Sequence, residues 1–407
     1  MNRWFSAAGG LGFVGVLGLV LVAALLALDI DGRPALQPEA QGVWAQHSTH
    51  APLTQTAQHF TLEASGLIPM PDNTPAAHAS NLLPMPSQHS QAMWAFWFAG
   101  TRESAPDVQV AASAFDRASQ AWTPSRWVVN RESTGISLGF AKRRLGNPVP
   151  WRDASGRVHL CVVATGLGGW AAGRVLHLQS KAPVDSELLN EVEFEPLRVL
   201  PLAWGWNISH LVRAMPLVLA DGGMVLPVYF ELSSKYPVAL RFDALGSFRG
   251  MVRMSQERKV LQPTLLMQSP TQWLALMRDS SSFGRVQASQ TQDAGRSWTD
   301  LPMLSLHNAD NSLAGLSLSA TQHVLVHNPQ SQGRHELDLS VSADGLQWQE
   351  ILTLVKGSEK GDEKGGVADE FSYPSVVWQD QHLWVSYTYK RQAIAWQRLL
   401  VKEIKAP

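Results

Sequence analysis

Few residues of this chain have a type and spacing that announce chemistry by themselves. Cys161 is the only cysteine, so a disulfide framework within the chain is excluded. It sits in the apolar run HLCVVAT, where a thiol is expected to be buried and inert rather than nucleophilic. Among 13 histidines, His47, His50 and His59 cluster without the spacing of a zinc site, so no metal and no other cofactor is expected. The 16 tryptophans against 5 tyrosines leave two uses for an indole ring: packing β units together, the commoner fate, or stacking on sugars. Two stretches place tryptophan in a pattern, TQDAGRSW at 291–298 and SADGLQW at 342–348. In each, an aspartate can accept backbone N–H bonds while a nearby glycine takes positive φ, which favours a tight hairpin. The indole a few residues on can then cover that hairpin.

These hairpins need strands to carry them. Trp298 and Trp348 are 50 residues apart, the length of one four-stranded unit. Strand-length apolar runs recur along the chain with turn residues between them, among them AMWAFWFAG, GMVLPVYFEL, HVLVHNP and LWVSYTYKR. No long amphipathic helix interrupts them. The expected fold is therefore an all-β propeller over 66–405, which holds six or seven such units and is expected as six-bladed, with AFDRASQAW (114–122) as an eroded copy of the hairpin. At 407 residues with 45 % apolar content the chain can bury a core of that size. Its formal net charge of −1 argues against a nucleic-acid partner.

The first 28 residues stand apart. Residues 4–28 carry no charge, and 11–28 are wholly apolar apart from glycines, long enough to span a bilayer as a helix. Arg3 precedes the run, and Asp29 and Asp31 follow it, which keeps the N-terminus in the cytoplasm and places the rest of the chain outside it. A cleaved signal peptide is the competing expectation, although LLALDID lacks a clear small-x-small site. Residues 29–65 form a polar, proline-dotted linker.

The stretch TQDAGRSW matches the Asp-box, Ser/Thr-x-Asp-x-Gly-x-x-Trp, and SADGLQW is the same box one residue shorter. Further pieces, PAAHASNLLPMP, WFAGTRESAPDVQV, GNPVPW, ADGGMVLPVYFE, LQPTLL, LVHNPQSQGRHELDLSVSADG and FSYPSVV, follow in the order of one branch of the sialidase superfamily. Over about 70–400 the chain resembles the BNR-repeat, Asp-box sialidase-like proteins. The resemblance implies a propeller whose boxes staple the third and fourth strands of a blade, away from substrate. It also implies an exo-glycosidase of terminal acidic sugars, here on the outer side of the cytoplasmic membrane, with an acidic glycan as partner.

A retaining sialidase grips the substrate carboxylate with arginines, protonates the leaving oxygen with an acid and attacks with a tyrosine beside a glutamate. By resemblance, Arg102, Arg278 and Arg334 are the binding arginines, Asp107 the acid and Tyr373 the nucleophile. Two departures matter. The early Phe/Tyr-Arg-Ile-Pro motif is missing, and AAHAS places His78 there. The glutamate position reads LQPTL, so Gln262 stands where a base is needed, and an amide cannot take the tyrosine proton. His78 opens alternatives: a uronate-directed lyase using a histidine base, or a propeller that only binds acidic glycans. Asn147, Asn328 and Trp170 are expected to shape loops at the pocket mouth.

Overall fold

The computed structural model describes residues 58–138, 144–166, 169–203, 207–281, 283–359 and 368–403. The apolar N-terminal run and most of the linker lie outside them. Among the described residues no helix is long and apolar enough to cross a membrane.

Six antiparallel sheets follow one another around a central axis. Their innermost strands are Ala76–Pro84 (blade I), Arg144–Arg152 (II), His210–Val212 (III), Val260–Met267 (IV), Ala314–Ser319 (V) and Phe371–Gln379 (VI). The inner strand of blade IV is buried along its whole length, because blade III covers one face, at Leu265 and Met267, and blade V the other, at Leu266. Apolar side chains accordingly run continuously rather than alternating with polar ones. The core is divided into layers between blades. Leu83, Trp94 and Phe96 meet Leu145, Leu160 and Leu178 between I and II, and Trp97 and Phe115 meet Trp384 and Trp396 between VI and I. That second layer, at the seam, holds four of the 16 tryptophans.

The ring closes by borrowing. The strand Gln58–Leu67 pairs antiparallel with Ala393–Glu403 and becomes the outer strand of blade VI. Its first residues fall inside the stretch read from sequence as linker. Polar composition hid them, because an outermost strand has a solvent face.

Both boxes lie at the turn between the third and fourth strands, in blades IV and V. Asp293 accepts N–H bonds from Arg296 and Ser297, both at 2.9 Å, and Asp344 accepts from Leu346 and Gln347, both at 2.8 Å. Gly295 and Gly345 have φ of +83° and +71°, and Trp298 and Trp348 donate to their carbonyls. A further copy escaped the sequence reading. In FDALGSF, Asp243 accepts from Leu245 and Ser247 in the same corner of blade III, with Gly246 at φ +75°. Phe248 follows where the boxes carry tryptophan, which is why the pattern was missed.

Four inner strands carry a bulge at one end, each with a non-glycine residue at positive φ: Ala79 (+54°), Asn147 (+46°), Gln262 (+49°) and Tyr373 (+53°). Three of the four precede proline, which donates no ladder hydrogen bond and suits an interrupted strand. Bulges re-aim side chains, and left-handed backbone outside glycine costs on the order of 1–3 kcal/mol. Four in one ring mark that end of the axis as the place where the fold tolerates strain. The paired ends Gln58 and Glu403, with the turn at Gln379–His382, lie at the other end.

Candidate active site

The bulges bring together residues that are nearly 300 positions apart in the chain. Tyr373 sits at the start of the blade VI inner strand, and its ring lies 4.3 Å from the His78 ring of blade I, centre to centre. Arg278, at the end of Trp273–Asp279 in blade IV, places Nη1 3.5 Å from the Tyr373 hydroxyl and 3.0 Å from Gln262 Oε1. Its Nε pairs with Asp310 at 2.6 Å. Gln262 Nε2 donates to the Tyr229 hydroxyl at 3.2 Å. Arg334 comes from blade V. It lies in the loop before Glu336–Ser342, bonded to Glu370 at 3.1 Å, with its guanidinium carbon 5.8 Å from the centre of the Tyr373 ring.

Arg102 and Asp107 lie in the turn after Gln91–Gly100. Arg102 lines a narrow cleft with His78. Asp107 is held within its own turn: one carboxylate oxygen accepts the Thr101 N–H at 2.9 Å, the other the Thr101 hydroxyl at 3.0 Å. Among the described residues no hydrogen bond joins it to Tyr373 or His78. Trp170 covers Gly146 and donates to Ser104 at 3.2 Å. Asn328 donates to the carbonyls of Glu336 and Phe371, tying blade V to blade VI rather than shaping the mouth. Cys161 is buried, and burial pushes its thiol up, as expected for an inert residue.

Several residues at the site were not singled out from sequence. Arg213 is fully buried behind Tyr373, 5.3 Å from the ring centre, donating to Asn81 Oδ1 and to the Pro374 carbonyl. Glu370 bridges Arg334 and Arg391. Tyr229, Glu231 and Asp310 surround Arg278. The one visible signal was an arginine inside the apolar run HLVRAMPLVL. The others are ordinary loop residues until the ring closes.

The electrostatics follow from this arrangement. Burial alone raises the Tyr373 phenol, but the guanidinium groups of Arg278 and Arg334 and hydrogen bonds from Gln262 and Arg278 outweigh it, and the phenol lies below its usual value. The hydroxyl thus meets donors where a carboxylate was expected. Burial raises the Glu231 carboxyl, against the pull of Lys235 and Arg278. Glu370, despite burial, is held at about 2 by Arg391, Ser372 and Arg334.

Burial lowers His78 to about 3, helped by Arg391, Arg334 and Arg213 and opposed by Glu370. His323 and His327 fall to about 4 and His177 well below its usual value, all chiefly by burial. A histidine neutral in the fold but protonated once unfolded stabilises fully above pH 6.5, and its contribution is lost as pH falls toward the folded value. Each contributes a slope of at most about 1.4 kcal/mol per pH unit in that window. Asp338, raised to about 6 by burial, and Glu231 oppose the trend, two carboxyls against four histidines. Urea unfolding should therefore show stability falling between pH 6.5 and 5; a flat profile there would mean these imidazoles are not held neutral.

The BNR repeat-like domain model matches residues 91–385, well over half of the chain. No curated protein matches it. Among solved structures, the Hadza microbial sialidase Hz136 is similar at 14 % identity and a TM-score of 0.63, with 80 % of this chain and 66 % of that one covered. A Dyadobacter fermentans protein of unknown function is similar at 13 % identity and 0.63, covering 85 % and 99 %. Trypanosoma rangeli sialidase in complex with sialic acid follows at 11 % and 0.60, covering 86 % and 59 %. The chain spans less than two thirds of the length of both sialidases, and at these identities the likeness speaks for the fold alone.

Proposed function

Because this chain belongs to the BNR repeat-like domain family, we propose that it is a glycan-processing enzyme acting on a terminal acidic sugar, with the ring of bulges as its active site. The observation that carries this is the Tyr373 hydroxyl facing donors, Arg278 at 3.5 Å among them. Such surroundings favour the phenolate, so Tyr373 can attack without the base that Gln262 fails to provide. In that step the phenol oxygen bonds the anomeric carbon and the glycosidic bond breaks. The leaving oxygen then takes a proton from a carboxyl. Asp107 is the acid the resemblance implies; Glu231 competes for the role because burial favours its protonated form. Arg278 and Arg334 bind the sugar carboxylate, with Arg102 nearby. The sialidase names among the similar structures support the substrate class and do not choose the sugar.

One observation favours a second reading. His78 lies against Tyr373, neutral and with no hydrogen-bond partner on either ring nitrogen, so a lone pair is available to take a proton from a uronic acid, although burial makes it a weak base. Incubating the protein with a panel of sialylated and uronate-terminated glycans separates the readings. Free sugar with no new absorbance indicates hydrolysis, unsaturated-uronate absorbance indicates elimination, and tight binding without product indicates a lectin-like propeller. Neither product nor binding would end the acidic-glycan proposal.

A further proposal concerns location. Residues 4–28 are read as an uncleaved anchor in the cytoplasmic membrane, and the described chain begins, at Gln58, at the end of the axis opposite the site. The site would then point away from the bilayer, toward extracytoplasmic glycans. Membrane fractionation of the expressed chain should recover it with the inner membrane. A soluble product starting near residue 29 would show a cleaved signal instead.

A further inference from the structure

The layer between blades V and VI stays open at the end of the axis away from the bulges. Phe60, Leu318 and Val341 are only partly buried there, packed against the core between the two blades. With Trp348 and Ile351 they line a groove of about 480 Å³. That volume falls within the roughly 300–1,000 Å³ of small-ligand sites. Thr321 and Gln322 at its edge belong to the turn between the first two strands of blade V, the counterpart of the Gln379–His382 turn in blade VI. The groove and Tyr373 therefore lie at opposite ends of the molecule.

Among the described residues that line the groove there is no lysine, arginine, aspartate or glutamate. Two acids adjoin it in sequence and take no part. Asp344 accepts N–H bonds within its own box, and Glu350 falls between Gln349 and Ile351, so strand alternation sends it to the other face. An uncharged wall does not repay the desolvation of an ion, so the groove selects a neutral ligand. Its polar groups are chiefly amides. Gln347 and Gln349 are exposed, and each amide both donates and accepts, as a sugar hydroxyl does. His323, 1 % exposed, bonds Ser317 Oγ through Nδ1 at 2.9 Å, and its Nε2 has no hydrogen-bond partner among the described residues. Buried polar atoms are seldom left so. Burial keeps this ring neutral, so Nε2 can meet a hydroxyl as donor or acceptor according to the tautomer. Trp348 and Phe60 supply the flat apolar surface on which the C–H face of a sugar ring can lie.

We propose that this groove binds a neutral stretch of sugar chain, with a ring against Trp348 and Phe60 and its hydroxyls on Gln347, Gln349 and His323. The site is separate from the axial one and needs no turnover. Calorimetry on the full chain with cellotetraose, maltotetraose, mannotetraose and xylotetraose should show binding of at least one of them. Ile351→Glu puts a charge into the groove from a half-open position on the outermost strand, and should weaken that binding by about tenfold or more. Gln347→Ala should weaken it roughly two- to tenfold, the worth of one neutral hydrogen bond. Arg278→Ala, at the axis, should leave it within about twofold of wild type, because neutral sugars in the groove never meet that guanidinium. Binding of none of these sugars overturns the proposal, as does binding that Arg278→Ala removes and both groove substitutions spare. Phe60 is the third residue of its strand, so the chain upstream of Gln58 is the rival occupant. Binding absent from wild type and gained in Trp44→Ser would give the groove to that segment and overturn the proposal too. Release of an acidic sugar is a separate readout, so this inference and the enzymatic reading can each fail alone.

Discussion

Replacing Tyr373 by phenylalanine is expected to lower turnover by at least about a thousandfold while leaving ligand affinity within a few-fold of wild type. Only one oxygen is removed, and the ring that packs against His78 and Arg213 stays. If the phenolate is the attacking or proton-accepting group, its loss removes an interaction made in the transition state. Positioned proton transfer alone contributes roughly 10²–10⁴-fold, and a lost nucleophile more. The pH dependence carries a sign. The active form is the deprotonated phenol, so the rate should rise with pH through a value below that of an ordinary tyrosine, as the arginines require. Gln262→Glu should move that value upward, since a carboxylate beside the hydroxyl opposes the second negative charge. Turnover that survives Tyr373→Phe would remove Tyr373 from the chemistry.

The second large effect concerns stability. Arg213 follows the inner strand of blade III and is 1 % exposed. It donates to Asn81 of blade I at 3.1 Å and to the Pro374 carbonyl of blade VI at 2.8 Å. Asn81 in turn donates to the Arg213 carbonyl and to Pro148 of blade II. One buried pair of side chains therefore joins four blades at the axis. Among the described residues no ion pair with a carboxylate compensates the guanidinium; carbonyl oxygens and the Tyr373 ring do. Burial holds its proton less tightly than usual, at about 10, against the raising influence of Tyr373 and Tyr229, so it remains charged at neutral pH. Arg213→Ala leaves Asn81 Oδ1 and the Pro374 carbonyl without these donors and opens a cavity. The expected loss is about 3–5 kcal/mol. A thermal melt should fall by roughly 6–10 °C, taking about 2 °C per kcal/mol for a large domain. Arg213→Lys should lose part of this, because an ammonium cannot reproduce the two-pronged geometry. A shift under about 2 °C for the alanine variant would mean the axis is held by the blade interfaces alone.

The sequence by itself determined the class of fold and narrowed the blades to six or seven; the structure has six. Alternating runs, turn residues and two hairpins 50 residues apart are local signals, each contained within a single strand or turn. The same holds for the glycines of the boxes, whose positive φ follows from residues within the turn. It reached part of the site, because Tyr373, Arg278 and Gln262 stand in recognisable strand contexts. It could not reach Arg213, Arg391 or Glu370, whose surroundings come from other blades. Nor could it say that both Asp107 oxygens are taken by Thr101, or that the strand from Gln58 completes blade VI. Closure of the ring decides these matters. Blades remote in sequence become neighbours only when the seam closes, and burial and charge at the axis are properties of that ring, not of any segment that enters it.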